Sequence, residues 1–186
     1  MKKEKTSHSG KHSQEKSAAP NMPPSPALQI IGKMKDTLMG RAVGILIAEG
    51  SDGAVMKKIK KAAIDAGAAV KMIAPKVGGV KLADGSMLAA DGQLAGMPSV
   101  LFDAVAVILS EEGAKLLSME SAAIDFVHDA FGHLKAIAVD QGGRALLQTA
   151  KVGQDAGIVD ARNTSAFIAA AKTRQWDREK TVRMLP

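Results

Sequence analysis

The apolar residues of this chain fall into two alternating patterns. Residues 42–48 (AVGILIA) form an unbroken apolar run, and a run without polar alternation predicts a strand buried on both faces. A polar turn, Glu49-Gly50-Ser51-Asp52-Gly53, follows it. Then Val55, Met56, Ile59, Ala62, Ala63 and Ala66 recur at helical spacing as far as Gly67, which predicts strand, turn and helix in sequence. Further apolar runs at 69–74 (AVKMIA), 104–109 (AVAVIL) and 136–139 predict a second, third and fourth strand. Helical patterns over 121–131, 143–149 and 164–172 supply the covering elements, and Glu111-Glu112 open a short helix after the third strand. Between the second and third strands, 80–82 and 86–88 flank Asp84-Gly85, a pattern that predicts a small hairpin with a type I′ turn.

Buried strands that alternate with helices define the α/β class. The expected architecture is a three-layer α/β/α sandwich of flavodoxin-like type, with a parallel sheet in strand order 2-1-3-4-5. The folded domain is expected over 41–186. Ahead of it, residues 27–40 contain Leu28, Ile30, Ile31, Met34 and Leu38, a short apolar pattern expected to act as a linker or docking segment. Residues 1–26 are Lys-, Ser-, His- and Ala-rich and close with Pro20, Pro23, Pro24 and Pro26. With no apolar periodicity to offset ordering entropy, they are expected to be a disordered arm.

Charge and composition narrow the chemistry. Five lysines against two glutamates put +3 of the formal +6 in residues 1–26, so the basic excess belongs to an arm and not to a folded face. Nucleic acid is therefore not expected as a partner. The absence of Cys excludes disulfides, thiolate metal sites, iron–sulfur clusters and a cysteine nucleophile. The absence of Tyr excludes a tyrosinate haem ligand, and 3% aromatics leave few rings for stacking. No run approaches the roughly 18 apolar residues of a membrane helix, and the lysine-rich N-terminus lacks a signal-peptide core. A soluble, cytoplasmic protein with no membrane partner is expected.

In an open parallel sheet, ligands bind at the carboxyl ends of the strands near the point where strand order reverses. Two loops, 49–53 and 140–143, therefore hold the candidate residues Glu49, Ser51, Asp52, Asp140 and Gln141. The first has the glycines of a phosphate cradle, but Glu49 and Asp52 repel phosphate and the spacing fails G-x-G-x-x-G. A tight turn with Ser51 or Asp52 as helix cap is the simpler reading. In the second loop Asp140 stands at the strand-to-helix corner where related folds carry a nucleophile. It lacks an evident acid or base partner, and a helix-capping role is expected. His8 and His12 stand four apart, but Ser9, Gly10 and Ser13 oppose a helix there, while His128 and His133 complete no metal set. No metal site is expected.

The stretches SPALQIIGKMKDTLMGRAVGILIAEGSDG (25–53), APKVGGVKLADGSMLAADGQLAGMPSVLFDAVAV (74–107), FGHLKAIAVD (131–140) and FIAAAKTRQWDREKTVRMLP (167–186) strongly resemble the C-terminal domain of large-subunit monofunctional haem catalases. The resemblance covers roughly residues 25–186. It implies a flavodoxin-like fold related to PfpI-type proteases and class I glutamine amidotransferases, attached through a linker to a haem-binding core and packed on the outside of a tetramer. In that wider superfamily the nucleophilic cysteine corresponds to about Asp140 and the acidic partner after the first strand to about Val55, so both catalytic positions are degenerate. The haem-core motifs, a distal His and Asn and a proximal Tyr, have no counterpart, so no cofactor is expected in this chain.

These expectations converge on a non-catalytic accessory domain of a peroxide-removing catalase, with the catalase core or tetramer as partner and self-association as a further expectation. It would stabilise the assembly or shape access to the haem channel. The alternatives are a free-standing PfpI- or glyoxalase-like hydrolase or lyase using Asp140 or Glu49, and a chaperone-like or ligand-binding module.

Overall fold

In the computed structural model, the described residues are Pro23 and 25–182. The arm at 1–26 therefore lies outside the described residues except for Pro23, Ser25 and Pro26. The chain divides into two units, 1–30 and 31–186. In the first, the Leu28 and Gln29 N–H groups both donate to Ser25 O at 3.1 Å. Of the apolar residues at 27–40, Leu38 is buried and enters the core, while Leu28, Ile30, Ile31 and Met34 are exposed.

The second unit is built on a six-stranded parallel sheet. Its strands are β1 (Ala42–Ile47), β2 (Ala69–Ala74), β5 (Gly92–Gln93), β6 (Ala104–Ile108), β7 (Ile137–Val139) and β8 (Ile158–Asp160), in the order β5-β2-β1-β6-β7-β8. The five major strands keep the expected order 2-1-3-4-5, with β5 added beyond β2. The fifth strand, β8, and the edge strand β5 are too short, at three and two residues, to give a run that periodicity can detect. The amino half of β2 is largely exposed because β5 pairs only with Ile73 and Ala74.

Both faces of β1 are apolar for a geometric reason: alternate side chains point to opposite sides. Val43, Ile45 and Ile47 face one core with α1 (Gly53–Asp65) and α5 (Thr164–Ala171). Leu46 and Ala48 face the other, with α2 (Glu111–Leu117), α3 (Ser121–Gly132) and α4 (Gln141–Thr149). Gly44 shares that second face, where an added Cβ would lie 2.7 Å from the Phe102 ring; the missing side chain lets the ring lie on the strand. The crossover after β1 uses one layer and the crossover after β6 uses the other. The reversal of strand order thus falls between β1 and β6.

The hairpin departs from expectation in its turn. β3 (Val80–Lys81) pairs antiparallel with β4 (Met87–Leu88), but only Gly85 has positive φ, at +83°. A type I′ turn needs two such residues. Here Gly85 N–H donates to Leu82 O at 2.9 Å and Leu82 N–H to Ser86 O at 2.8 Å, the pattern of a three-residue loop whose last residue is left-handed. Asp84 keeps negative φ, and its carboxylate accepts from Ser86 N–H and Oγ–H. That hydrogen bonding holds its carboxyl below the usual range.

Candidate functional site

At the carboxyl end of β1, Ser51 is fully buried and joins the two strands on either side of the reversal point. Its hydroxyl accepts Ala48 N–H at 2.9 Å and lies 2.6 Å from Ile108 O, to which it donates. The loop around it is closed by the hairpin, since Gly50 N–H donates to Lys81 O (2.8 Å), Ala83 N–H to Ser51 O (3.0 Å) and Lys81 N–H to Glu49 Oε2 (3.0 Å). Gly50 supports this turn with φ +76°. Asp52 caps α1, its Oδ1 accepting from Ala54 N–H (2.9 Å) and Val55 N–H (3.1 Å). The Gly50, Ser51, Ala54 and Val55 N–H groups are already engaged, and a carboxylate stands at the helix end. The geometry is that of a capped turn.

Asp140 ends β7 and caps α4. Its Oδ1 accepts from Gly143 N–H at 2.8 Å, and both its oxygens lie within 3.0–3.2 Å of Leu109 N–H. The carboxylate thus binds the helix to the end of β6. Its backbone is extended (φ −91°, ψ −165°), without the strain of a nucleophile elbow. The two following glycines remove the remaining space: a Cβ on Gly142 would lie 2.2 Å from Leu109 O, and one on Gly143 would lie 2.4 Å from Val107 O. Burial raises the Asp140 carboxyl above its usual range, the Gly143 and Leu109 N–H groups oppose this, and the Asp52 charge adds to the rise.

The structure separates the remaining candidates. Val55 is in the first turn of α1, packed into the core. Gln141 lines a shallow crevice between α2 and α4, beside Lys115 and Ser118. Glu49 lines a different crevice of about 400 Å³, walled by Pro75, Val80, Leu116, Leu117 and Met119. Of the candidates, Asp52 acts on Asp140, its charge helping to raise that carboxyl, and each of the two carboxylates is engaged in capping its own helix.

A second cluster, at the amino ends of the strands, carried no sequence signal. Arg178 is buried and forms a two-pronged pair with Asp155, Nη2 to Oδ1 at 2.8 Å and Nε to Oδ2; Nη1 donates to Lys135 O at 2.9 Å and to Phe131 O at 3.2 Å. Its guanidinium also lies 4.2 Å from the Phe131 ring centroid. Burial works to raise the Asp155 carboxyl, but the Arg178 hydrogen bond and charge, with the Gly157 and Ile158 N–H groups, outweigh it and hold it low. Nearby, Lys135 is 3% exposed and its Nζ donates to Ser99 O at 2.6 Å. Burial pushes its ammonium down to about 8, with Arg174 adding to the fall and Asp103 and Asp129 opposing it. Ser99 Oγ is buried beside it without a partner. Both Ser99 and Lys135 are sealed from solvent, so the juxtaposition of hydroxyl and amine offers no substrate access.

A haem held by an anionic axial ligand needs a tyrosinate or a thiolate. The chain has no Tyr or Cys, and the described histidines, His128 on α3 and His133 at its C-cap, both lie exposed on the outer surface. No group of three or more His, Asp or Glu side chains suited to a metal occurs among the described residues. No helix of the described residues is long and apolar enough to cross a membrane.

Comparison with known proteins agrees with this frame. Among solved structures, oxidized DJ-1 of Toxoplasma gondii superposes with a TM-score of 0.59 at 17% identity, covering 76% of this chain and 95% of that one. A ThiJ/PfpI domain protein from Brachyspira murdochii gives 0.55 at 18% identity, covering 61% and 66%. These likenesses establish the flavodoxin-like three-layer fold. In sequence, the chain is 39% identical over 170 residues to Catalase C of Rhizobium meliloti (strain 1021), covering 88% of this chain and 24% of that protein. It is 30% identical over 172 residues to Catalase HPII of Pseudomonas aeruginosa, covering 90% and 24%. The chain spans about a quarter of the length of these relatives. The model of the C-terminal domain found in long catalases matches residues 39–178, and the chain belongs to that family.

Proposed function

We propose that this chain is a non-catalytic accessory domain that associates with a catalase core, contributing to hydrogen peroxide removal by stabilising the assembly or shaping access to the haem channel. The carrying observation is Asp140. At the corner where the superfamily resemblance puts a nucleophilic cysteine, this chain has a carboxylate fully engaged as helix cap and strand tie. Val55, at the corresponding acidic position, is core material. A hydrolase reading lacks both the cysteine nucleophile and its acidic partner. The reading includes a cytoplasmic site of action, no cofactor of the chain's own, and the catalase core as partner, with self-association as a secondary feature.

The decisive experiment mixes the purified chain with a large catalase from which the corresponding domain has been deleted and follows thermal inactivation of peroxide removal. The expected result is a slower loss of activity in the mixture and co-elution of the two chains. Equal inactivation rates with no co-elution would overturn the proposal. A screen of peptide, ester and methylglyoxal substrates, with Asp140→Asn as control, is expected to show no turnover specific to the unsubstituted chain.

A further inference from the structure

The 400 Å³ crevice beside the reversal point is separate from the Asp140 corner. Its floor is Ala48 at the end of β1, Val80 and Leu117, all buried, and its mouth carries Leu116 and Met119, which are 52% and 77% exposed. Large apolar side chains held at a concave mouth favour an apolar ligand body, and a volume of this order suits a small molecule. A methionine wall adapts to a ligand's shape because its side chain is unbranched and polarizable.

The polar groups decide the ligand's charge. Glu49, Glu120 and Lys76 line the crevice, a net negative set. Glu120 holds the N-cap position of α3 yet makes no capping bond with its side chain, so its carboxylate is not used by the helix it precedes. Glu49 commits only Oε2, to Lys81 N–H. Two carboxylates beside an apolar cavity match a cation attached to an apolar body.

We propose that this crevice is a binding site for a small amphipathic amine, its apolar body against Val80, Leu116, Leu117 and Met119 and its ammonium at the Glu49 and Glu120 carboxylates. The site is independent of the accessory role and uses none of the Asp140 geometry.

The test titrates the full chain with three probes of one chain length, n-octylammonium, n-octanol and octanoate, following side-chain methyl signals by NMR. Octylammonium is expected to saturate with shifts centred on the Leu116 and Met119 methyls, about tenfold tighter than octanol, a ratio corresponding to one favourable charge contact, with octanoate weakest. Glu120→Gln is expected to bring the amine and the alcohol close to equal affinity. Leu116→Asn, at a half-exposed position, should weaken both while leaving the melting temperature unchanged. Octanoate binding as tightly as the amine, shifts centred elsewhere, or no saturation in the low-millimolar range would overturn the proposal, and these wild-type comparisons hold even if a variant fails to fold.

Discussion

Asp140 and Lys135 show how differently two buried charges can be held. Asp140 receives three short contacts from two N–H groups, so Asp140→Ala removes a cap and strands Leu109 N–H. The expected loss is about 0.5–2 kcal/mol for the cap, with Asp140→Asn or Asp140→Ser retaining most of it, read from urea unfolding midpoints. An alanine variant more stable than wild type would favour a catalytic carboxylate, since removing a functional charge often relieves repulsion. Lys135 is the opposite case, with one acceptor, Ser99 O, for an ammonium that has three donors. Its pKa falls from 10.5 in the unfolded chain to about 8 in the fold. The unfolded state then binds more protons between these values, so this group's contribution to stability is full above 10.5 and lost as pH falls through about 8. Relative to Lys135→Met, the wild type should gain up to about 3 kcal/mol between pH 7 and pH 10.5. Parallel stability curves for the two proteins would refute the burial argument.

Among the elements, the segment after α5 binds the amino edge of the sheet more than its helical content suggests. Arg41, ahead of β1, donates to Ala171 O and Lys172 O at 3.1 and 2.6 Å. Arg174 pairs with Asp103 ahead of β6 at 3.6 Å, and Gln175 N–H donates to Leu134 O ahead of β7 at 2.8 Å. Arg178 then locks onto Asp155 ahead of β8. The segment thus crosses four strand starts in sequence. Removing Asp155 leaves a buried guanidinium without its counter-ion, which ordinarily costs several kcal/mol. Because Asp155 is itself 29% exposed, the expected cost of Asp155→Ala is about 2–3 kcal/mol after allowing for solvent screening. A loss below about 0.5 kcal/mol in a thermal melt would show that the segment is a passive tail. The pair should also weaken as pH falls through the depressed Asp155 pKa, because protonation discharges the carboxylate.

On the scale of the whole molecule, the chain carries a catalase-family domain but has neither Tyr nor Cys to serve as an anionic haem ligand. Reconstitution with haemin is expected to give no Soret band and no oxygen release above buffer, measured by absorbance and an oxygen electrode. A Soret band with turnover would refute the ligand argument. The sequence by itself determined the layers and the parallel sheet, because unbroken apolar runs separated by helical spacing leave few alternatives to a doubly covered parallel sheet. It also determined the exclusions, since a missing Cys or Tyr is absent in any fold. The capping role of Asp140 was legible because a cap is a local device, set by residues two or three positions away. Tertiary structure alone decided the rest. β8 is recognised as a strand only through its pairing with β7, the turn at Asp84 is defined by its backbone hydrogen bonds, and the crevice of Glu49, Leu116, Met119 and Glu120 joins the loop after β1 to the crossover between β6 and β7. At the opposite end Arg178 meets Asp155 and Lys135 across 23 and 43 residues of sequence. Burial and charge pairing over such separations have no periodicity to read, because they depend on which strand starts lie side by side.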